Sequence, residues 1–190
     1  MTDANCLIVS HSVKFYTSAK QLAEEALQCE TALASTVREA RGMLLTGDYT
    51  LLLINAPLPD EFGLDIAVYA ASEQAAGVVI FTAPDLLVQV RAKAEPHGVV
   101  ALPKNASVSQ VKLTLSTLAV AARKLKDARR ENDKLKTEME TVKVMSRAKL
   151  ILVQQFGMTE KEAHSYIEQR AMEARSSKRS IAENIIKSYE

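Results

Sequence analysis

Five polar residues follow apolar runs in the first half of the chain, and their side chains suit hydrogen bonding better than metal or phosphoryl chemistry. A side-chain carboxylate can form an acyl phosphate with a phosphoryl donor, but the amide of Asn55 cannot. Mg²⁺ needs hard anionic oxygen ligands, and no residue of the group carries a carboxylate. We therefore predict a pocket with neither activity. Its residues are Ser10, His11, Asn55, Thr82 and Lys104.

A second group of candidates lies near the C-terminus and combines cations with flat side chains. RNA loops are bound by cations that contact phosphates and by flat groups that stack on unpaired bases. Tyr166 and His164 are candidate stacking faces, although packing between helices is the commoner role for such a tyrosine. Ala148 is small enough to let a base approach its helix. The cations are Arg147, Lys149, Arg170, Arg175, Lys178 and Arg179.

Charge is distributed unevenly along the chain. Residues 1–104 carry 7 basic and 12 acidic side chains, a net charge of −5, whereas residues 105–190 carry 17 basic and 11 acidic side chains, a net charge of +6. This asymmetry indicates an anionic partner for the second half, with nucleic acid the first candidate. A solvated basic coiled coil would explain the same charges, so charge alone does not decide.

Composition and segment lengths exclude several classes of protein. A chain of 190 residues with 47% hydrophobic residues favours one folded domain plus a smaller appendage. No signal peptide and no apolar run of membrane-spanning length is visible, so we expect a cytoplasmic protein without membrane contact. Cys6, in a predicted strand, and Cys29, in a predicted helix, are expected to be reduced core thiols.

Enzymatic activity is not expected. The sequence offers no nucleophile paired with a base, no phosphate-binding glycine loop and no His/Cys cluster at metal-ligand spacing. We therefore predict no metal and no cofactor.

The elements that position the first group alternate between short apolar runs and helical stretches. The runs cover 6–9, 31–36, 50–55, 77–82 and 98–103, with helices near 12–27, 37–46, 63–75 and 85–95. Unalternating apolar strands separated by helices predict a five-stranded parallel sheet, a flavodoxin-like α/β domain over residues 1–106. The carboxyl ends of such strands form the functional crevice, where the five polar residues should meet.

One long helix is predicted from about Ser107, because neither Gly nor Pro occurs before Gly157. Its apolar residues follow a heptad pattern, and Asn132 within the seam is a device that fixes register and a two-stranded state. We predict a parallel homodimeric coiled coil over 107–143; the alternative is a single helix packed on the first domain. The a positions are Val111, Leu118, Leu125, Asn132, Met139 and Ser146, and the d positions are Thr114, Ala121, Ala128, Leu135 and Val142.

The last 47 residues, 144–190, predict a three-helix bundle that includes the end of the long helix. Thr159 and Glu162 have the spacing of a capping box, which begins a new helix. Ser177 is a candidate N-cap of the last helix, whose apolar face contains Ile181, Ile185 and Ile186.

Residues 6–104 resemble a response-regulator receiver domain. In that family two acids after the first strand and an Asp after the third hold Mg²⁺, the Asp accepts a phosphoryl group, and a Thr or Ser and a Lys respond to it. Thr82 and Lys104 stand at the last two positions, but Ser10 and His11 replace the acids and Asn55 replaces the acceptor. We expect the neutral Asn55 to face Lys104 and to hydrogen-bond it, which would hold the pocket in one conformation. The domain would then be a pseudo-receiver that serves as a docking surface or dimer support.

Residues 144–189 resemble an ANTAR domain, a three-helix module that usually follows a receiver and a coiled coil. The matching residues are Ala148, Lys149, Gly157, Glu162, Ala163, Arg170, Ala171, Met172, Ile181, Ala182 and Ile185. The family binds paired RNA hairpins and prevents transcription termination. The resemblance thus implies RNA binding, and Lys149 and Arg170 are the favoured site residues because family match and local chemistry agree on them.

The leading hypothesis is an RNA-binding antitermination regulator that binds hairpins in a nascent mRNA leader and is controlled without phosphorylation, by a sensor protein or a ligand at the pseudo-receiver. The alternative is a DNA-binding regulator in which helices 159–175 and 178–188 form a helix-turn-helix. The serine-rich basic loop between them lacks the usual glycine of that motif.

Overall fold

The structure is a computed structural model that describes residues 5–74 and 76–189. Contacts divide the chain into two units, which meet between Asp127 and Ala128 inside one long helix. Each unit has its own hydrophobic core. Within the described residues, no helix combines the length and the apolar character needed to cross a membrane.

The first unit is built on a five-stranded parallel sheet with strand order β2-β1-β3-β4-β5. This result confirms the predicted flavodoxin-like α/β fold. The strands are β1 (Asn5–Val9), β2 (Glu30–Ala34), β3 (Leu51–Asn55), β4 (Gly77–Thr82) and β5 (Val99–Pro103). The helices between them are α1 (Val13–Leu27), α2 (Val37–Thr46), α3 (Leu64–Glu73) and α4 (Leu87–Ala94).

Both faces of the sheet are covered by helices, which is why the strand sequences are apolar throughout instead of alternating. On β3, for example, Leu52 and Ile54 face the core formed with α2, α3 and α4. Leu51 and Leu53 face the opposite core, formed with α1 and the first turns of α5 (Val108–Phe156). Because all neighbouring strands are parallel, their carboxyl ends lie at the same edge of the sheet, as predicted.

The beginning of α5 is the last covering helix of the sheet. Ser107 caps it, since the Ser107 Oγ accepts a hydrogen bond from the Gln110 N–H at 3.2 Å. A Cβ atom added at Gly77 would lie 2.9 Å from the Leu118 Cβ, so the absent side chain at Gly77 lets α5 approach β4 closely. The residues that α5 buries in the first unit are Val111, Leu115, Ala119 and Ala122.

The coiled-coil seam was therefore predicted wrongly at its first two a positions. Val111 is buried in the core of the first unit, and Leu118 packs partly buried against the same core. A helix that covers a sheet and a helix in a coiled-coil seam have nearly the same spacing of apolar residues, so the sequence pattern does not distinguish them. In the structure these two side chains pack on the sheet. For this part of the helix the alternative, packing on the first domain, is correct.

Both cysteines lie in the core between the sheet and α1. Cys6 is on β1, as predicted, and burial strongly raises the pKa of its thiol. Cys29 was predicted in a helix, but α1 ends at Leu27 and Gln28 adopts left-handed backbone angles (φ 51°). Cys29 is buried in the connection to β2, where desolvation raises its pKa.

The second unit packs the end of α5 against α6 (Glu160–Glu173) and α7 (Lys178–Tyr189). Gly157 has a positive φ of 65°, which favours glycine at the turn that ends α5. The predicted capping box is present, with the Thr159 N–H donating to Glu162 Oε2 at 2.8 Å. Ser177 Oγ accepts from the Ser180 N–H at 3.1 Å, which confirms the predicted cap of α7. The core residues are Ala148, Leu152, Ala163, Ile167 and Ala182.

The helix segment 128–140 contacts neither core, and each of its side chains is exposed. Within this segment Leu135 is 50% exposed and Met139 60%, and Val142, two residues beyond it, is 64% exposed. A lone helix in water gains little from such apolar side chains, so the segment has an apolar stripe without a covering surface in the single chain.

We predict that the buried and exposed leucines of α5 differ sharply in their contribution to stability. Leu115→Ala should lower the free energy of unfolding of the first unit by roughly 2–5 kcal/mol, because it removes a fully buried side chain. Leu113→Ala, two residues away and 71% exposed, should change it by no more than about 0.5 kcal/mol. Hydrogen exchange of the β-strand amides in urea measures both values, and equal losses would contradict the placement of α5.

Candidate functional site

The position of the missing carboxylate is filled by a small network of neutral groups. The Asn55 Nδ2 donates to the Ser10 Oγ at 3.0 Å, and that oxygen also accepts from the Ser12 N–H at 3.0 Å. Ser10 and Asn55 are both buried. The predicted hydrogen bond between Asn55 and Lys104 was wrong, since the Asn55 Oδ1 has no partner and the Asn55 amide pairs with Ser10.

The other predicted pocket residues have different environments. Thr82 is fully buried, and its Oγ1 has no hydrogen-bond partner. Lys104 is exposed, and its backbone N–H donates to the Thr82 carbonyl oxygen at 2.8 Å. His11 is also exposed. The structure thus brings Ser10 and Asn55 into direct contact and leaves the His11 side chain in solvent.

The acids in the following loop do not supply an alternative acceptor. Both Asp60 carboxylate oxygens are hydrogen-bonded, one to the Val37 N–H and one to the Arg38 N–H, each at 3.0 Å. These backbone donors at the start of α2 hold the pKa of Asp60 below its ordinary value. Asp65 lies in the first turn of α3. Among residues 5–74 and 76–189, no group of three or more His, Cys, Asp or Glu side chains is arranged to hold a metal ion.

Ala148 was predicted to contact RNA, and this prediction was wrong. Its side chain is completely buried in the core of the second unit, where it packs with Leu152 and Ile167. Ala163 and Ala182 are completely buried in the same core, so small side chains from all three helices meet there. Ala148 therefore supports the surface without forming part of it.

Tyr166 and Arg170 form a stacked pair beside a groove between α6 and α7. The Arg170 Cζ lies 5.6 Å from the centroid of the Tyr166 ring, and the Arg170 Nε donates to the Tyr166 hydroxyl at 3.3 Å. The groove has a volume of about 500 Å³, and its polar and aromatic lining also includes Asn184, Ser188 and Tyr189. This arrangement offers a flat surface with hydrogen-bonding groups at its edges.

Lys149 lies outside that groove and is already paired. Its Nζ contacts the Glu160 Oε1 at 2.6 Å, across the turn that joins α5 to α6, and its side chain is only 21% exposed. The hydrogen bond and the charge of Lys149 hold the pKa of Glu160 below its ordinary value. The two favoured residues, Lys149 and Arg170, therefore do not converge on one groove.

Three further predicted cations, Arg175, Lys178 and Arg179, lie at or just before the beginning of α7. Lys178 forms an ion pair with Glu168. The Arg179 guanidinium contacts Glu183 at 2.8 Å and Glu140 at 3.4 Å. Exposed ion pairs are easily exchanged for other partners, so these cations remain able to contact an anion. Arg175 is exposed and has a left-handed backbone with φ 49°.

A second groove, between α5 and α7, combines the predicted cation Arg147 with two cations that the sequence analysis did not select, Lys143 and Lys187. It has a volume of about 550 Å³ and is lined by Lys143, Arg147 and Lys187, with one acid, Glu183. Lys143 and Arg147 are four residues apart in α5, and this spacing in the sequence predicts that they lie on the same face of the helix. Lys187 joins them only through the packing of α7, for which the sequence has no local signal.

Comparison with known proteins identifies the second unit. Residues 133–186 match the ANTAR domain family, from the exposed part of α5 to Ile186 within α7. The chain carries an ANTAR domain behind a receiver-like domain. It is 27% identical over 136 residues to the transcriptional regulatory protein PdtaR of Mycobacterium tuberculosis, which covers 72% of this chain and 66% of that protein, just under two thirds of its length.

Solved structures are similar to the first unit. The signal receiver domain of an HD domain-containing protein from Pseudomonas fluorescens matches 67% of this ANTAR-domain chain and 94% of that chain, with a TM-score of 0.59 and 18% identity. A CheY-like receiver domain protein from Methanospirillum hungatei matches 64% of this chain and 97% of its own, with a TM-score of 0.57 and 17% identity. At these identities the likeness establishes the receiver fold.

We predict that the receiver-like domain of this ANTAR-domain chain accepts no phosphoryl group at the ends of its strands. Incubation with acetyl phosphate and Mg²⁺ should add no mass to the intact protein, because Asn55 cannot form an acyl phosphate and Ser10 and His11 are not anionic Mg²⁺ ligands. Asn55→Asp alone should also remain unmodified, since the ion would still lack its cage. An acyl phosphate detected on the native chain would contradict the prediction.

Proposed function

We propose that this protein is an RNA-binding transcription antitermination regulator that binds hairpins in nascent mRNA leaders through its second unit. The ANTAR match over 133–186 and the similarity to a transcriptional regulatory protein support this role. We propose that it acts in the cytoplasm, where it would meet nascent mRNA. Its receiver-like domain acts without phosphorylation, and this part of the proposal is supported by the neutral Ser10–Asn55 pair at the strand ends.

The observation that carries the proposal is the stacked Tyr166–Arg170 pair at the groove between α6 and α7. The exposed Arg170 guanidinium lies over the Tyr166 ring, so its outer face is a planar surface on which an unstacked base can lie. The neighbouring Asn184 and Ser188 side chains can hydrogen-bond the edge of that base. A groove of about 500 Å³ is large enough for a single nucleobase.

We further propose that the protein is a homodimer joined through the exposed segment of α5. Two copies would present two RNA-binding units, one for each hairpin of a pair. The seam starts at Leu125, after the helix leaves the core of the first unit, and continues through Asn132 and Leu135 to Met139 and Val142. The exposure of these apolar side chains in the single chain supports this proposal.

A DNA-binding role is the second candidate, and one observation favours it. Four residues, 174–177, connect α6 to α7, and Arg175 among them adopts the left-handed backbone that a glycine usually supplies in a helix-turn-helix. The missing glycine is therefore no obstacle to such a turn. Hairpin RNA and duplex DNA of the same sequence, compared in one binding assay, distinguish the two roles.

We predict that Arg170 and Lys149 affect RNA binding in different ways. Arg170→Ala should reduce discrimination between a matched hairpin and a loop mutant by about 5- to 150-fold if its contact to a base is bidentate. Lys149→Ala should weaken all hairpins similarly and flatten the salt dependence by about one unit or less. Glu160→Gln should strengthen binding, because it frees the Lys149 charge from its partner.

Fluorescence anisotropy at several salt concentrations measures these effects. Lys93→Ala, which removes an exposed cation from the first unit, controls for net charge and should leave hairpin affinity unchanged. All variants should keep native helicity and the native oligomeric state before they are compared. Native affinity and selectivity in both alanine variants would remove Lys149 and Arg170 from the interface.

We also predict that the exposed seam of α5 determines the oligomeric state. Asn132→Leu should strengthen association and allow higher oligomers or other registers, because the polar residue that restricts the seam is lost. Leu135→Asp combined with Met139→Asp should yield monomers, whereas Lys134→Asp, outside the predicted seam, should not. Multi-angle light scattering measures all three, and a monomeric native chain at micromolar concentration would refute the proposed dimer.

A further inference from the structure

A cavity of about 500 Å³ lies in the first unit, between α1, the beginning of α5 and the ends of β3 and β4. The inner part of this cavity is lined by apolar side chains. Phe15 of α1 and Phe81 of β4 meet edge to face there, with ring centroids 5.2 Å apart, and Leu53 and Leu115 complete the wall. A volume of this size is typical of sites for small organic ligands.

Cationic and hydroxyl side chains line the same cavity. Two lysines, Lys14 and Lys104, contribute to its lining, together with the Ser12 and Ser18 side chains. Lys14 and Lys104 are exposed, and within the described residues neither ammonium group forms an ion pair or a hydrogen bond. The cavity thus combines an apolar interior with positive charge.

Asn55 gives the cavity an unsatisfied acceptor. Its side chain is 91% buried and lines the cavity, its Nδ2 is engaged by Ser10, and its Oδ1 has no partner. A buried acceptor without a donor costs free energy that a ligand N–H or O–H group would recover. Because this Oδ1 is itself enclosed, a ligand donor reaches it from the cavity only when the side chains around it shift.

We propose that this cavity binds a small organic carboxylate that carries an apolar, preferably aromatic, group and a hydroxyl or N–H donor near the carboxylate. The aromatic group occupies the space beside Phe15 and Phe81, the carboxylate lies between Lys14 and Lys104, and the donor bonds the Asn55 Oδ1. The ammonium groups of the two lysines are exposed, the Phe15 ring is only partly buried, and the Asn55 Oδ1 has no hydrogen-bond partner, so each group of the ligand has a matching group in the cavity.

The cavity also suggests how such a ligand regulates the protein, a point that rests on the proposed RNA-binding function. Val111 and Leu115, in the first turns of α5, form part of its wall. The same helix continues without interruption to Phe156 and contributes Ala148 and Leu152 to the core of the second unit. A ligand between α1 and α5 changes the packing of α5 and thereby the affinity for RNA hairpins.

The test uses the full chain and 3-phenyllactate, which has all three features. The methyl ester of 3-phenyllactate lacks the charge, and 3-phenylpropanoate lacks the hydroxyl donor. Isothermal titration calorimetry should show saturable binding of 3-phenyllactate at one site per chain, with about tenfold weaker binding of either analogue. Absence of saturable binding, or equal affinity for all three compounds, would overturn the proposal.

Protein variants locate the site. Lys104→Met should weaken 3-phenyllactate about tenfold and leave its methyl ester unaffected, whereas Lys93→Met, outside the cavity, should change neither. Asn55→Leu should abolish the preference for 3-phenyllactate over 3-phenylpropanoate, because the acceptor for the hydroxyl is gone. If Asn55→Leu fails to fold, Lys104→Met, which alters an exposed side chain, still decides the location. Undiminished affinity in Lys104→Met would overturn the site.

Hairpin affinity with and without 3-phenyllactate then tests the regulatory part. A change of several-fold in the native chain, absent in Lys104→Met, supports it, and an unchanged affinity contradicts the link while the calorimetry still establishes the site. The calorimetry contains no RNA. A chain that binds 3-phenyllactate but no hairpin would therefore refute the proposed function and leave the binding site supported.

Discussion

The packing of the first turns of α5 against the sheet is the interaction on which most of this structure depends. Val111, Leu115 and Ala119 cover one face of the sheet that would otherwise expose Leu53 and Phe81 to water. Burial of each large apolar side chain contributes about 1.5–3 kcal/mol, so this face cannot be left open. Because α5 is one unbroken helix of 49 residues, the element that completes the first core also begins the second.

Gly77 shows how narrowly that packing is constrained. The position is the first residue of β4, and any side chain there would meet both Leu118 of α5 and Leu51 of β3 at 2.9 Å. No flexible group is available to move away, since both neighbours are packed in the same core. The sequence pattern identifies Gly77 only as the start of a strand. That it allows the close approach of α5 to β4 can be seen only in the structure.

The sequence predicted the sheet well because buried parallel strands leave a strong signal. Runs such as Leu51–Asn55 and Gly77–Thr82 contain no polar side chain before their last residue, and few other structures require that pattern. Helix caps were also predictable, since Thr159 and Ser177 act on residues three positions away. Errors occurred where two structures share one periodicity, as at Val111 and Leu118, which fit a seam and a sheet-covering face equally.

The candidate RNA surface was predictable in composition but not in arrangement. Lys149, Lys178 and Arg179 are each paired with an acid from another helix or another part of the chain, and such partners have no local sequence signal. Ala148 was misassigned because a small residue on a helix suits either an exposed contact or a tight core. The stacking of Arg170 on Tyr166 follows from their spacing of four residues, which places both on one face of α6.

The two buried thiols of the first unit allow separation of α1 from the sheet to be measured by chemical labelling, without any engineered probe. Cys6 and Cys29 are the two cysteines of the chain, both lie in the core behind α1, and both are protonated and shielded in the closed state. A thiol-specific reagent can therefore react only when that layer separates, and its rate measures how often this occurs. Because the second unit contains no cysteine, labelling follows the receiver-like domain alone, in the unmodified protein and in the presence of any partner.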